Sequence, residues 1–431
     1  MVGTSLGEGS GLGGLSIQKK NIQNFLFFLF FLFVNEFFFL ADNKLSGFPF
    51  VREAFILFLV LLFLKNVFFD GYFIGLREEY FVVLYVFGWI LFSALLSFFN
   101  HGQPIIYGFL EERRLLLYLV FFPVLYLIVY RNVSFETLGF YLVAGFCLAS
   151  LVGFLYSFGV LNPRVDLSFK VDGKSYQDVQ EMYEGFRGGR FRIATAFLLW
   201  VFIYSLLQFR KTGRYFWISI SGYCAAYVWI VIQTRTMMAT MLIIALVIFR
   251  KRLDRVLSIA WLGLPLVLSV VFIYPELILN EYEKLLDLYH DVVEHSGPRT
   301  RELTIGIILD EVWRNPLGFG ALSLQWKEGF LSIYNDNFYL SDVGIFGVVY
   351  RFGLFSIPLI VLYYYVFLGL GFRLLRTDDV LVLTACYVVV FESLDFIFSS
   401  SMAMGGSLFG VALAIMVAHK YRLNGNWRLG I

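Results

Sequence analysis

The 431-residue sequence contains few of the residues on which soluble folds, disulfides and metal sites depend. It has 3 cysteines, 4 histidines and only 15% charged residues. Cys147, Cys224 and Cys386 all lie inside apolar runs, where a cysteine is more typical of a buried core than of a disulfide or a metal ligand. The scarcity of charge excludes a soluble core of this size.

Motifs of several functional classes are absent as well. The sequence contains no Cys/His metal cluster, no P-loop, no GxSxG and no loop aspartate pair with metal-site spacing. The net charge of +2 is small and basic runs with interleaved aromatics are missing, so nucleic acid is not an expected partner. No internal repeat is present, which makes a transporter built from inverted repeats less favoured without excluding it.

Apolar residues dominate what is present: 59% of the chain is hydrophobic, and Phe alone occurs 51 times. A helix needs about 20 apolar residues to cross hydrocarbon, so the long apolar runs predict an all-α polytopic membrane protein with about twelve transmembrane helices. Their expected bounds are 25–40, 51–64, 81–99, 115–130, 138–158, 191–209, 215–233, 237–249, 256–274, 354–372, 379–397 and 403–419.

Basic loops orient these spans. Residues 210–214 and 250–255 are rich in Lys and Arg, which mark the cytoplasmic side. Counting from them predicts a disordered cytoplasmic N-terminus over 1–22, a single transmembrane domain over 23–419, and a cytoplasmic tail over 420–431. Both termini are thus expected in the cytoplasm.

The same count depends on residues 337–353. If they crossed the membrane, the basic tail would face outward, against the charge rule, so we predict a re-entrant segment near 337–353. Two extracytoplasmic loops, 162–190 and 275–337, are too long to be simple connectors, and function is expected there. The second is expected to be largely helical.

The stretch "HSGPRTRELTIG" (295–306) opens a predicted helix that runs to about Arg314. Arg299 and Arg301 would lie at its start, where the helix dipole disfavours cations. An anionic ligand would compensate for this, because free backbone N–H groups and guanidinium groups both bind phosphate oxygens. Pairing with a local acid such as Glu302 explains the stretch equally well.

Three more arginines are expected on the same side. Arg190 and Arg192 lie at the outer mouth of the sixth span, and Arg235 lies in the outer turn between the seventh and eighth spans. An arginine in hydrocarbon costs about 2.5 to 3.5 kcal/mol, so Arg235 is expected to face protein or water, or alternatively to reach the headgroups. Arginines at three separate external places indicate one shared anionic substrate.

Polar and aromatic residues precede the predicted re-entrant segment. Asp336, Asn337 and Tyr339 occur together, and Trp326 lies shortly before them. Such groups can bind a sugar, with Tyr339 and Trp326 as stacking platforms, although solvated loop residues are an equally good interpretation.

Two acids lie near the outer end of the eleventh span. Glu392 and Asp395 are three residues apart, on one face of a helix. A carboxylate within a membrane is a functional candidate, either as a general base or, the favoured interpretation, as the counter-ion of an arginine such as Arg235.

Residues 313–323, "WRNPLGFGALS", predict the end of the helix that contains Arg301. The Asn315-Pro316 pair stops a helix, while Gly318 and Gly320 allow a close approach of backbones.

Four motifs follow one another in a distinctive order relative to the spans. They are "RGGRFRIATAF", "QTRTMMATMLIIAL", "RTRELTIGIILDEVWRNPLGFGALS" and "NDNFYLSDVGIFGVVYRFGLFSIPLIVLYYY", spread over about 160–375. Together they resemble the O-antigen polymerase and ligase superfamily of bacterial inner-membrane proteins.

The resemblance implies a GT-C-like glycosyltransferase of the bacterial inner membrane that needs neither metal nor cofactor. Its expected partners are donor and acceptor glycans on undecaprenyl diphosphate, membrane lipid and a chain-length regulator protein. By the same resemblance, the diphosphate would be bound by Arg190 or Arg192, by Arg235, and by Arg299 or Arg301.

The same resemblance favours a polymerase. Ligases of the superfamily carry a histidine where this chain has Asp336, in "DNFYL". Deprotonation of the acceptor is expected from Asp336, Glu302 or Glu392, in that order. The alternatives are an O-antigen ligase and a lipid or polysaccharide transporter.

Overall fold

The computed structural model describes much of the chain but not all of it. The described residues are 24–39, 51–73, 75–158, 160, 194–232, 234–250, 297–323, 325–327, 329–334, 338, 340, 343–397 and 405–423. All regular secondary structure within these ranges is helical, which confirms the all-α prediction for them. The predicted ninth span, the loop 162–190 and the predicted N-terminal segment 1–22 lie outside the described residues.

The α-helices follow the apolar runs, and short 3-10 or π-helical pieces often extend them. In chain order they are α1 (Asn24–Val34), α2 (Val51–Leu64), α3 (Arg77–His101), α4 (Ile105–Glu112), α5 (Phe121–Val129), α6 (Phe135–Ser157), α7 (Leu198–Thr212), α8 (Tyr215–Tyr227), α9 (Arg235–Phe249), α10 (Gly297–Arg314), α11 (Ile345–Phe352), α12 (Ser356–Leu374), α13 (Val380–Asp395) and α14 (Gly406–Leu423). A 3-10 helix, Arg113–Val120, joins α4 to α5.

Four helical runs in the described ranges are long and apolar enough to cross a membrane. They are Arg77–His101, Phe135–Leu155, Tyr215–Ile232 and Ile345–Leu374. These runs indicate a helical membrane protein. Most other apolar helices are shorter than the roughly 20 residues that a straight crossing requires, so the number twelve stays a prediction.

The last of these runs includes residues 345–353, the C-terminal part of the predicted re-entrant segment. Ile345–Phe352 forms α11, and at Gly353 the backbone adopts φ +52° before α12 begins. An 8-residue helix is about 12 Å long, too short to cross the roughly 30 Å of hydrocarbon by itself. The segment therefore continues into α12 through a break in the helical axis.

α14 lies at the centre of the bundle, and its residues from Gly406 to Ala418 are buried. It packs against the 3-10 helix, α5 and α13. Gly410 allows this contact, because a Cβ there would lie 2.7 Å from a methyl carbon of Val120. α14 continues to Leu423, so the first residues of the predicted cytoplasmic tail are helical.

Several basic residues meet at one end of the bundle, here called the basic end. Lys420 Nζ lies 2.7 Å from a Glu78 carboxylate oxygen, and Arg77 and Arg373 line the same groove as Lys420. Two residues further along α14, the Arg422 guanidinium lies 4.5 Å from the centroid of the Phe135 ring. Cations from α3, α12 and α14 thus lie together at this end.

Candidate functional site

The segment 315–323, called the NPLGFGALS segment after its sequence, covers the C-terminal end of α3, opposite the basic end. Gln103 Nε2 donates to the Ala321 carbonyl at 3.1 Å, and the Ser323 N–H donates to Gln103 Oε1 at 2.9 Å. Ser97 Oγ also donates to the Ala321 carbonyl, at 2.7 Å. Side chains of α3 and its C-terminal turn therefore hold the segment in place.

Glycines make this contact feasible, as the sequence predicts. Gly318 and Gly320 have φ of +87° and +75°. A Cβ on Gly320 would lie 2.3 Å from the Ser93 carbonyl oxygen, a distance that no side chain tolerates. The predicted close approach at both glycines is confirmed, and the predicted end of the preceding helix is confirmed at Arg314.

The other edge of the NPLGFGALS segment is bonded to α11. The Gly320 N–H donates to the Arg351 carbonyl at 2.9 Å, and the Phe319 N–H donates to the Tyr350 carbonyl at 3.0 Å. These bonds fix the last turn of α11 against α3.

A buried ion pair lies beneath this junction. Arg351 Nε is 3.3 Å from Glu112 Oε1, and the two side chains are only 13% and 4% exposed. Ser93 Oγ donates to the same carboxylate oxygen at 3.0 Å. Ser93 precedes the end of α3 at His101 by about 12 Å of helix, so the pair lies well inside the bundle.

Further charges surround the ion pair. Arg113 Nε lies 3.3 Å from a Glu53 carboxylate oxygen. Burial raises the pKa of the Glu111 carboxyl, and the charge of Glu112 adds to this, while Arg351 and Arg113 oppose it. Carboxylates and guanidinium groups thus lie close together in this region.

α10 packs against α11 around a small core that is separate from the main core. Ile308 is fully buried and clusters with Phe338 and Tyr350. The hydroxyl groups of Tyr334 and Tyr350 are 2.9 Å apart. α10 packs on α11 and is thereby coupled to the NPLGFGALS segment.

That first turn is the predicted anion site. α10 begins at Gly297, its first turn contains no acidic residue, and Arg299 belongs to that turn. Arg301 and Glu302 follow and are exposed to solvent. The predicted helix is confirmed, while an anion site at its start stays a prediction.

Other predicted site residues are spread over the described part. Arg235 is the first residue of α9. Glu392 is half-buried in the last turn of α13, whose end meets the start of α11: a Cβ on Gly344 would lie 2.4 Å from the Phe396 carbonyl oxygen. Glu392 is therefore brought towards the α10–α11 region.

One predicted sugar platform is partly occupied. Lys327 Nζ lies 4.8 Å from the centroid of the Trp326 ring, so a cation covers one face of that ring. A stacking sugar would need the opposite face or would have to displace the lysine.

The remaining predicted site residues lie outside the described residues. They are Arg190, Arg192, Asp336, Asn337 and Tyr339. The convergence of all the predicted arginines stays a prediction. No group of three or more His, Cys, Asp or Glu within the described ranges is arranged to hold a metal ion.

Two residues of the site, Glu112 and Arg351, were not predicted. Their sequence signal is charge inside apolar surroundings, "LEERRLLL" and "VVYRFGLF". A charge in such a position needs a partner, because its burial alone is costly. The sequence does not identify that partner.

The chain was also compared with known proteins. No protein-family model, curated protein or solved structure matches it.

Proposed function

We propose that the protein is a polysaccharide polymerase that extends O-antigen, capsule or exopolysaccharide chains. It would transfer a glycan from undecaprenyl diphosphate to a sugar hydroxyl of a second lipid-linked repeat unit. The observation that carries the proposal is the start of α10, where Arg299 lies in a first turn without acids and Arg301 is exposed beside it. Such a helix end binds phosphate oxygens.

The chemistry requires charge neutralisation more than a strong base. The acceptor oxygen attacks the anomeric carbon, the bond from that carbon to the diphosphate oxygen breaks, and its electron pair leaves with the lipid diphosphate. The guanidinium groups of Arg235, Arg299 and Arg301 would stabilise the growing charge. The acceptor proton would pass to a carboxylate, with Asp336 first, Glu302 second and Glu392 third in preference.

We further propose a GT-C-like, twelve-span arrangement in the bacterial inner membrane, with both termini in the cytoplasm. The meeting of Arg373, Lys420 and Arg422 at the basic end supports this orientation, because cytoplasmic ends carry an excess of basic residues. α10 lies at the opposite end of α3, where an external site is expected.

The test is a glycan ladder from a deletion strain that is complemented with the wild-type chain or with variants. Arg235→Ala and Arg301→Ala should leave single repeat units, because the diphosphate is no longer held. The matched control is Arg314→Ala, at the other end of α10, where the arginine is 75% exposed and pairs with Glu311.

Normal polymer length in Arg235→Ala and Arg301→Ala at equal expression would contradict the proposal. Full-length polymer that stays on the carrier in the deletion strain would instead indicate a ligase. Repeat units confined to the cytoplasmic leaflet would indicate a transporter.

A further inference from the structure

A second basic site lies at the basic end of the bundle, away from α10. A cavity of about 140 Å³ opens there between α3 and α12. Its wall is apolar, with contributions from Phe81, Leu370 and Tyr365, and Tyr365 is 58% exposed on the outside of the bundle. The cavity is therefore a groove that opens towards the surrounding lipid.

The mouth of the groove carries an excess of positive charge. Arg77, Arg373 and Lys420 line it together with a single carboxylate, Glu78. That carboxylate pairs with Lys420 at 2.7 Å. Within the described residues neither Arg77 nor Arg373 forms an ion pair, and both are exposed. Two guanidinium groups are thus available at the rim of an apolar groove.

We propose that this groove binds an anionic phospholipid of the bilayer. The phosphate would lie between Arg77 and Arg373, since guanidinium groups bind phosphate oxygens in a two-pronged geometry. An acyl chain would lie along the apolar wall. Basic pockets between membrane helices recognise acidic headgroups in this way, whereas a zwitterionic headgroup brings a positive charge of its own. The proposal does not depend on the proposed polymerase activity, because the groove lies at the opposite end of α3.

Gly369 gives a means of closing the groove without altering its charge. It lines the cavity, and a Cβ built on it has no atom within 4 Å. Gly369→Leu should therefore place a side chain in the groove with no clash at its Cβ. Gly222 in α8 also has open space around a Cβ and does not line the groove, so Gly222→Leu is the matched control.

The experiment uses the full chain, purified in detergent and titrated with phosphatidylglycerol or phosphatidylcholine. Lipid retention is measured by mass spectrometry and binding by the rise in Tm.

The wild-type chain should prefer phosphatidylglycerol by roughly tenfold or more, since each arginine near an acidic headgroup contributes a factor of about five. Arg77→Gln with Arg373→Gln should abolish this preference. Gly369→Leu should weaken the binding of phosphatidylglycerol.

The control for charge is Arg376→Gln, an exposed arginine of the same end that does not line the groove. It should leave the preference unchanged, and so should Gly222→Leu.

Equal retention of the two lipids by the wild-type chain would overturn the proposal. An equal loss of preference in Arg376→Gln would also overturn it, because that loss would indicate a diffuse surface charge. Unchanged binding of phosphatidylglycerol in Gly369→Leu would overturn it as well. A monodisperse elution profile and an unchanged lipid-free Tm identify variants that are folded.

Discussion

The pair formed by Glu112 and Arg351 joins α4 to α11, and its two side chains are only 4% and 13% exposed. Each charge stabilises the other, because a charge at this depth has lost its hydration, and without a partner no other interaction would compensate for that loss. Ser93 adds a hydrogen bond to the carboxylate. The pair therefore fixes where the last turn of α11 lies, and with it the NPLGFGALS segment.

Glu112→Gln should destabilise the protein by about 3 kcal/mol or more, because it removes the carboxylate that is paired with the buried Arg351 guanidinium. The measurement is thermal unfolding in detergent. Glu311→Gln is the control, since it removes an exposed pair that is worth about 1 kcal/mol at most. Equal shifts in the two variants would show that the Glu112 pair contributes no more than a surface pair.

A double variant, Glu112→Gln with Arg351→Met, separates the charge effect from a packing effect. Gln can still accept the Ser93 hydrogen bond, and Met fills much of the arginine volume without its charge. Most of the stability that Glu112→Gln loses should return. If the double variant is less stable than the single one, the loss is one of packing.

For single residues, the sequence predicts which residue type a position needs but not which residue it contacts. The need of Gly318 and Gly320 for a close backbone approach could be predicted, because few residues other than glycine accept such positions. The partner of Arg351 could not, because α4 and α11 are far apart in the chain and several acids have a similar local pattern. Only the fold selects Glu112.

Among the elements, α10 is the one whose bounds follow most directly from the sequence. The Ser-Gly-Pro turn and the Asn-Pro pair bracket it, and the structure has it from Gly297 to Arg314. The break between α11 and α12 was harder to predict. The apolar residues around it resemble those of any span, and the break depends on Gly353, where a Cβ would lie 2.0 Å from the Pro316 carbonyl oxygen. That contact comes from the fold.

The small core beneath α10 should unfold independently of the bundle. Ile308→Ala removes a fully buried side chain from a cluster that is separate from the main core, so local stability should fall by about 2 to 5 kcal/mol. Hydrogen exchange should speed up in α10 and stay unchanged in α13. Leu309→Ala, at a position that is 46% exposed, should change neither. Faster exchange throughout the bundle would show that α10 is not a separate unit.

At the scale of the whole molecule, the apolar composition predicts a helical membrane protein, and the described helices agree with it. Composition alone could not predict the number of membrane crossings. α7 and α13 have 15 and 16 residues, and four charges interrupt the run from α4 to α5, so length and composition single out only four runs in the described ranges. Packing against neighbours, rather than apolar length, holds the short helices.

The proposed topology has a direct test in single cysteines placed at the two ends. Asp310→Cys on α10 and Arg376→Cys beyond α12 are both exposed positions. A membrane-impermeant maleimide added to intact cells should label the first and not the second, because the proposed orientation places α10 outside. Labelling both equally, or only Arg376→Cys, would contradict that orientation. The native cysteines are buried or half-buried, and the unsubstituted chain measures their background.

In the proposed reaction, arginines around the start of α10 bind a lipid diphosphate during glycan transfer. The most direct test of this binding is a purified chain in vesicles that contain lipid-linked repeat units, with a metal chelator present and the release of lipid diphosphate as the measurement. Release and polymer growth are expected with the wild-type chain, and a loss of about a hundredfold is expected in Arg301→Ala but not in Arg314→Ala. Equal rates in Arg301→Ala and the wild-type chain, or no release until a metal is added, would contradict it.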